Sequence, residues 1–207
     1  MKNYNFLFFL FFMLIILATL RYTYNDKKRK EEHPMINETA TQPDHLISNA
    51  IHYFREHQRH TTMEFIEKAI LSMKLIEKDA DSISNLAIEK AISDLKVVDQ
   101  EFRDKSIDRD HMQHAFLNAL NSLALAQLRV SESYRLNGEN ENSVYALKYA
   151  MNHIQNAMRY ANENEMVVEE KLYTAIDTLL ENDEMSDNEM IDMLEKIIQE
   201  LDRVVIH

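Results

Sequence analysis

Residues 134–150, YRLNGENENSVYALKYA, contain Gly138, the only glycine in 207 residues. The stretch reads as the end of one helix, a polar bend and the start of another. A helix that must stop commonly ends on a left-handed residue, which glycine adopts without a Cβ meeting the backbone. Upstream, Phe116, Leu120, Leu123 and Val130 recur at helical intervals. Downstream, Val144, Leu147, Ala150, Met151, Ile154 and Ala157 do the same. A short connection between two such helices makes an antiparallel hairpin.

Outward from this bend the chain repeats the pattern with almost no other punctuation. One Gly and two Pro leave little material for tight hairpins or phosphate-cradling loops, which excludes an all-β fold and a Gly-rich nucleotide site. With no cysteine, disulfides, thiolate catalysis and zinc–thiolate sites are excluded as well. Leu46, Ala50, Tyr53 and Phe54 form the first apolar face. Thr61-Thr62-Met63-Glu64 has the form of a capping box, opening a helix that turns Phe65, Ile66, Ala69, Ile70, Met73 and Ile76 inward. Ile83, Ala87, Ala91, Leu95 and Val98 mark a third helix, and Asp108 or Asp110 can cap the fourth. Asn140 or Asn142 starts a fifth, and Met166 to Leu180 forms a sixth. Ser186-Asp187-Asn188-Glu189 is a second capping box, ahead of Ile191, Leu194, Ile198, Leu201 and Val205. The expected fold is all-α: an antiparallel helical bundle or short array of helical hairpins, preceded by a single N-terminal hydrophobic helix.

An internal repeat runs beneath these helices. The shift that carries Tyr53 onto Tyr134 also carries Thr62 onto Ser143 and Ile66 onto Leu147. Ala69 likewise falls on Ala150, Met73 on Ile154 and Ala80 on Ala161. Aromatic, small, large and small residues in this order resemble the tetratricopeptide helical hairpin, in which small residues let two helices approach. The likeness covers two hairpins. It departs from the family in spacing, in Ala50 and Ser131 where a glycine would stand, and in Lys74 and Gln155 where a proline would. It implies a concave surface that holds a peptide or a partner helix, and it transfers no binding residues.

The amino-terminal segment differs in kind. FLFFLFFMLIILATL, residues 6–20, has Thr19 as its only polar member. Tyr4, Tyr22 and Tyr24 bracket it as an interfacial belt would. The 21 residues from Tyr4 to Tyr24 span about 31 Å as a helix, close to one hydrocarbon thickness. Residues 1–24 are read as a membrane anchor, with a signal peptide as the alternative; residues 5–24 would contact the membrane. Arg21, Lys27, Lys28, Arg29 and Lys30 follow the span, and the positive-inside tendency puts the domain on the cytoplasmic side of a single-pass cell-membrane protein. Residues 25–43 carry both prolines and read as a polar linker; residues 44–207 read as the helical domain.

Charge and titratable residues bound the chemistry. The net charge is −12, and residues 161–207 alone carry fourteen acidic against three basic side chains. Such a surface repels phosphate backbones, which argues against nucleic-acid binding. Among nine histidines, His111 and His114 sit three apart on one helical face, and His57 and His60 repeat the spacing. His52 lies five residues before His57, and His153 could join either group in the fold. With twelve methionines these four histidines are the candidates for a His/Met metal site. No histidine has a glutamate three residues before it, so a ferritin-like di-iron site is excluded. No Gly-x-Ser-x-Gly elbow exists, and the pairs Glu169-Glu170 and Asp183-Glu184 read as a solvated face. The expectation is therefore a non-enzymatic, cofactor-free, membrane-tethered interaction module. It would present an acidic C-terminal surface to a basic or helical partner protein, with a metal-binding protein as the alternative.

Overall fold

The computed structural model describes residues 38–182 and 184–206. The expected anchor and the linker up to residue 37 lie outside the described residues. Within them the chain is all-helical, with no strand. Seven α-helices follow one another: α1 Gln42–Arg55, α2 Arg59–Glu77, α3 Ser82–Asp104, α4 Arg109–Leu136, α5 Asn140–Ala157, α6 Glu163–Glu181 and α7 Asp187–Ile206. A 3₁₀ turn, Glu38–Thr41, precedes α1, and its Ala40 is fully buried. The packed body thus reaches into the stretch read as linker. Pro43 sits in the first turn of α1, where its missing N–H costs no hydrogen bond.

Each helix packs on the next, and α4 is the shared element: α3, α5 and α7 lie along it and α1 touches it. Its 28 residues span about 42 Å. Every residue from Ala119 to Leu128 is buried, so α4 is enclosed on all sides rather than along one stripe. Small residues permit the enclosure. Ser122 hides its hydroxyl by donating to the carbonyls of Asn118 (2.8 Å) and Ala87 (3.1 Å), and Ser131 meets Ser143 of α5 at 2.8 Å. One core cluster joins α1, α2, α3 and the first part of α4 around Phe116, Ile66, Met73 and Leu95. A second joins the later part of α4 to α5, α6 and α7 through Leu125, Leu128, Leu147, Ile176, Leu194 and Leu201.

Three helices end in the same way. His57 (φ 58°), Lys105 (φ 59°) and Gly138 (φ 75°) are left-handed. In each case the next N–H bonds back across the bend: Gln58 to Tyr53 (2.9 Å), Ser106 to Glu101 (3.0 Å) and Glu139 to Tyr134 (2.8 Å). These are Schellman turns, which use the last free carbonyls of the helix. The shift that superposes Tyr53 on Tyr134 also superposes His57 on Gly138, and the coincidence extends well beyond them. The N–H of His57 meets Phe54 and that of Gly138 meets Arg135, each at 3.0 Å. α2 begins at Arg59 and α5 at Asn140, while α3 begins at Ser82 and α6 at Glu163; the same shift relates each pair. The N-caps Asp81 and Asn162 also correspond, each accepting from the second and third following N–H groups.

Local expectations fare unevenly. Asp108, not Asp110, caps α4, and Ser186 and Glu189 exchange hydrogen bonds at the start of α7 as read. The capping box at Thr61 is not formed. α2 starts three residues earlier, directly after the Schellman turn, with Gln58 at its N-cap in place of Thr61 and no side-chain cap; Glu64 instead pairs with Lys68 at 2.7 Å. α6 starts three residues before Met166, at a capping box of Asn162 and Glu165.

Candidate functional site

The four candidate metal histidines are placed apart. His111 and His114 share a face of α4 but turn to different neighbours. His111 Nδ1 lies 2.8 Å from Glu101 Oε1 of α3, and His114 Nδ1 lies 3.2 Å from Glu165 Oε1 of α6. His57 stands in the bend after α1 and His60 in the first turn of α2, so their spacing does not place them on one helical face. Among the described residues no three His, Asp or Glu side chains converge as a metal ion requires.

His153 joins neither group. It is fully buried on α5, with Nδ1 2.8 Å from Oδ2 of Asp44 on α1, itself 4% exposed. The geometry does not meet that of a hydrogen bond, so the two atoms are in close polar contact only. Asn156 Nδ2 donates to the other Asp44 oxygen at 2.9 Å. Tyr160, whose hydroxyl is pushed up to about 12 by burial, packs edge-on against Phe116 beside this group.

Glu169 overturns the reading of Glu169-Glu170 as a solvated pair. Glu170 is exposed, but Glu169 is 1% exposed and turned into the α4–α6 contact, where Asn121 Nδ2 donates to its Oε1 at 2.7 Å. Burial pushes its carboxyl up to about 7; the Asn121 hydrogen bond works against that rise and the Glu165 charge adds to it. No substrate reaches a group so sealed without the packing opening.

Two of the open cups lie at helix ends related by the internal repeat. The first, of about 270 Å³, lies where α1 ends, α2 begins and α3 passes into α4. Phe54 and Phe102, edge to face at 5.8 Å, and Ile107 give it an apolar wall; His57, Arg59 and Lys105 supply its basic lip. Both non-glycine residues with left-handed backbone among the described residues, His57 and Lys105, belong to this lip. The second cup, of about 280 Å³, is lined by Arg135, Asn140, Val144, Leu179, Met185 and Met190 among others. Under the internal repeat, Arg135 and Asn140 occupy there the positions that Phe54 and Arg59 hold in the first cup. Arg135 donates to Asp187 at 3.0 Å and to the Met190 sulfur.

The outer side of α6, α7 and their bend is acidic. Glu163, Glu170, Glu181, Glu184, Asp187, Glu189, Asp192 and Glu195 are exposed there, against Lys171, Lys196 and Arg203, and Lys171 is taken by Glu200. Val167 stands among these acids at 66% exposure. Comparison of the chain with protein-family models, curated proteins and solved structures returns no match.

Proposed function

We propose that this chain is a non-enzymatic helical interaction module, tethered to a membrane through residues 5–24, that offers the acidic surface of α6 and α7 to a basic or helical partner protein. The observation that carries the reading is the excess of exposed carboxylates on that surface, set around an exposed valine with few cations to neutralise them. An apolar contact inside a charged rim is the usual anatomy of a transient interface, and the field around it speeds encounter and rejects acidic competitors. The bend geometry repeated at His57 and Gly138 supports reading the body as a short hairpin array, which the tetratricopeptide likeness also implies. On this reading the protein is single-pass at the cell membrane, with the helical body on the cytoplasmic side.

The test uses the full chain in lipid nanodiscs with a basic amphipathic helical peptide as probe. The peptide binds at 50 mM salt, and affinity falls at least tenfold by 500 mM as the charges are screened. The quadruple variant Glu163→Gln, Glu170→Gln, Glu189→Gln, Asp192→Asn binds correspondingly less. Binding that ignores both salt and the variant, or no binding at low salt, refutes the reading.

A further inference from the structure

We propose that the cup between the ends of α1 and α3 is a second binding site, which takes a segment of a partner polypeptide carrying an apolar side chain beside a carboxylate. Phe54, Phe102 and Ile107 wall a space the size of one large side chain; Phe102 belongs to the core and Phe54 and Ile107 pack half-buried against it, so the core opens here to the surface. The lip carries nitrogen bases: His57, Arg59 and Lys105. On a chain of net charge −12 this lining holds no carboxylate, and most of the nearby acids accept hydrogen bonds from other groups. Glu67 and Asp99 hold Arg103. Asp108 accepts from the first N–H groups of α4, and Asp104 accepts from Gln100. Glu56 is exposed at the bend, and no carboxylate among the described residues lies within ion-pair reach of His57, Arg59 or Lys105.

The molecule contains its own comparison. In the second cup the guanidinium of Arg135 is answered by Asp187, with the methionine sulfur of Met190 against it. Two residues from the first turn of α7, a carboxylate and a methionine, thus satisfy the arginine of that cup from within the chain. In the first cup Arg59 donates only to the backbone carbonyl of Arg103, at 2.6 Å. Nε lacks an acceptor in both arginines, but only Arg135 has a carboxylate on a terminal nitrogen. The α3–α4 bend puts Lys105 and Ser106 where the α6–α7 bend has Ser186 and Asp187, so the first cup has gained a cation and lost the acid. His57 and Lys105 hold left-handed backbone that glycine would adopt at less cost, and each brings a base to the lip there. Charge complementarity therefore selects an acidic occupant, and the aromatic wall selects one with an apolar side chain.

Fluorescence anisotropy with the full chain in nanodiscs tests this, using a labelled Glu-Asp-Phe-Asp-Glu peptide as probe. The peptide binds; Gln-Asn-Phe-Asn-Gln and Glu-Asp-Ala-Asp-Glu each bind about tenfold or more weakly, the loss of one charged or one apolar anchor. Arg59→Met weakens the acidic peptide by a similar factor. The double variant His57→Gly/Lys105→Gly removes two bases while relieving two strained bends. It loses affinity with a melting temperature equal to or above that of the parent, which separates lost recognition from lost folding. Equal binding of the acidic and neutral peptides, full affinity in the double variant, or no binding at millimolar peptide overturns the proposal. So does concentration-dependent self-association that Arg59→Met abolishes, since the occupant is then a second copy.

Discussion

Gly138 and His57 occupy the same place in two copies of one bend, and the comparison isolates what the glycine contributes. Nothing lies within 4 Å of a Cβ built on Gly138, so the cost of a side chain there is the cost of the left-handed backbone alone. Gly138→Ala is expected to destabilise by about 1 kcal/mol, and His57→Gly to stabilise by roughly half that; urea midpoints of the two variants check both signs. Glu169 makes the other prediction at this scale. Its carboxyl is held near 7 in the folded chain against an ordinary value of 4.5, so the folded state binds the proton more tightly than the unfolded one. The group is at no disadvantage below pH 4.5, and stability drains as pH climbs from there through 7, by on the order of 3 kcal/mol at pH 8. Glu169→Gln keeps an acceptor for Asn121 and cannot ionise. Its stability advantage over the parent, followed by urea denaturation, should be near zero at pH 4 and grow through pH 8.

At the scale of the helices, legibility followed locality. Helical spacing of apolar residues depends on neighbours three and four away, and it located all seven helices. Asp108 and the Ser186–Glu189 box were readable because a cap is settled within four residues. The Thr61–Glu64 box misled because the letters alone do not say where the preceding turn ends: His57 adopts a left-handed conformation with no glycine to announce it, and α2 starts before the box. The partners of the buried polar residues were out of sight for the opposite reason. Asn121 meets Glu169 48 positions away and Asp44 meets Asn156 112 away, and no periodicity encodes such pairings. At α6, Asn162 and Glu165 have both reciprocal bonds of a capping box in place. Asn162→Ala should cost about 1 kcal/mol, and hydrogen exchange should show the loss concentrated in the first turn of α6.

For the whole molecule, the shift that carries His57 onto Gly138 relates α1, α2 and α3 to the later part of α4, α5 and α6, so α4 is one helix serving two units. The two core clusters meet along it: Leu123 and Ala126 face one, Ala124 and Leu125 the other. Neither half can melt and leave the other intact, because the fully enclosed stretch Ala119–Leu128 belongs to both. Scanning calorimetry should show one transition with equal calorimetric and van't Hoff enthalpies. Ala124→Pro, at the middle of that stretch, should abolish folding of both halves rather than one; two resolved transitions in the parent would contradict this.

The same rod begins beside the basic lip at Lys105 and ends at the Asn137–Gly138 turn next to Arg135. One unbroken helix therefore sets the separation of the two mouths at about 40 Å, with no joint between them to let it vary.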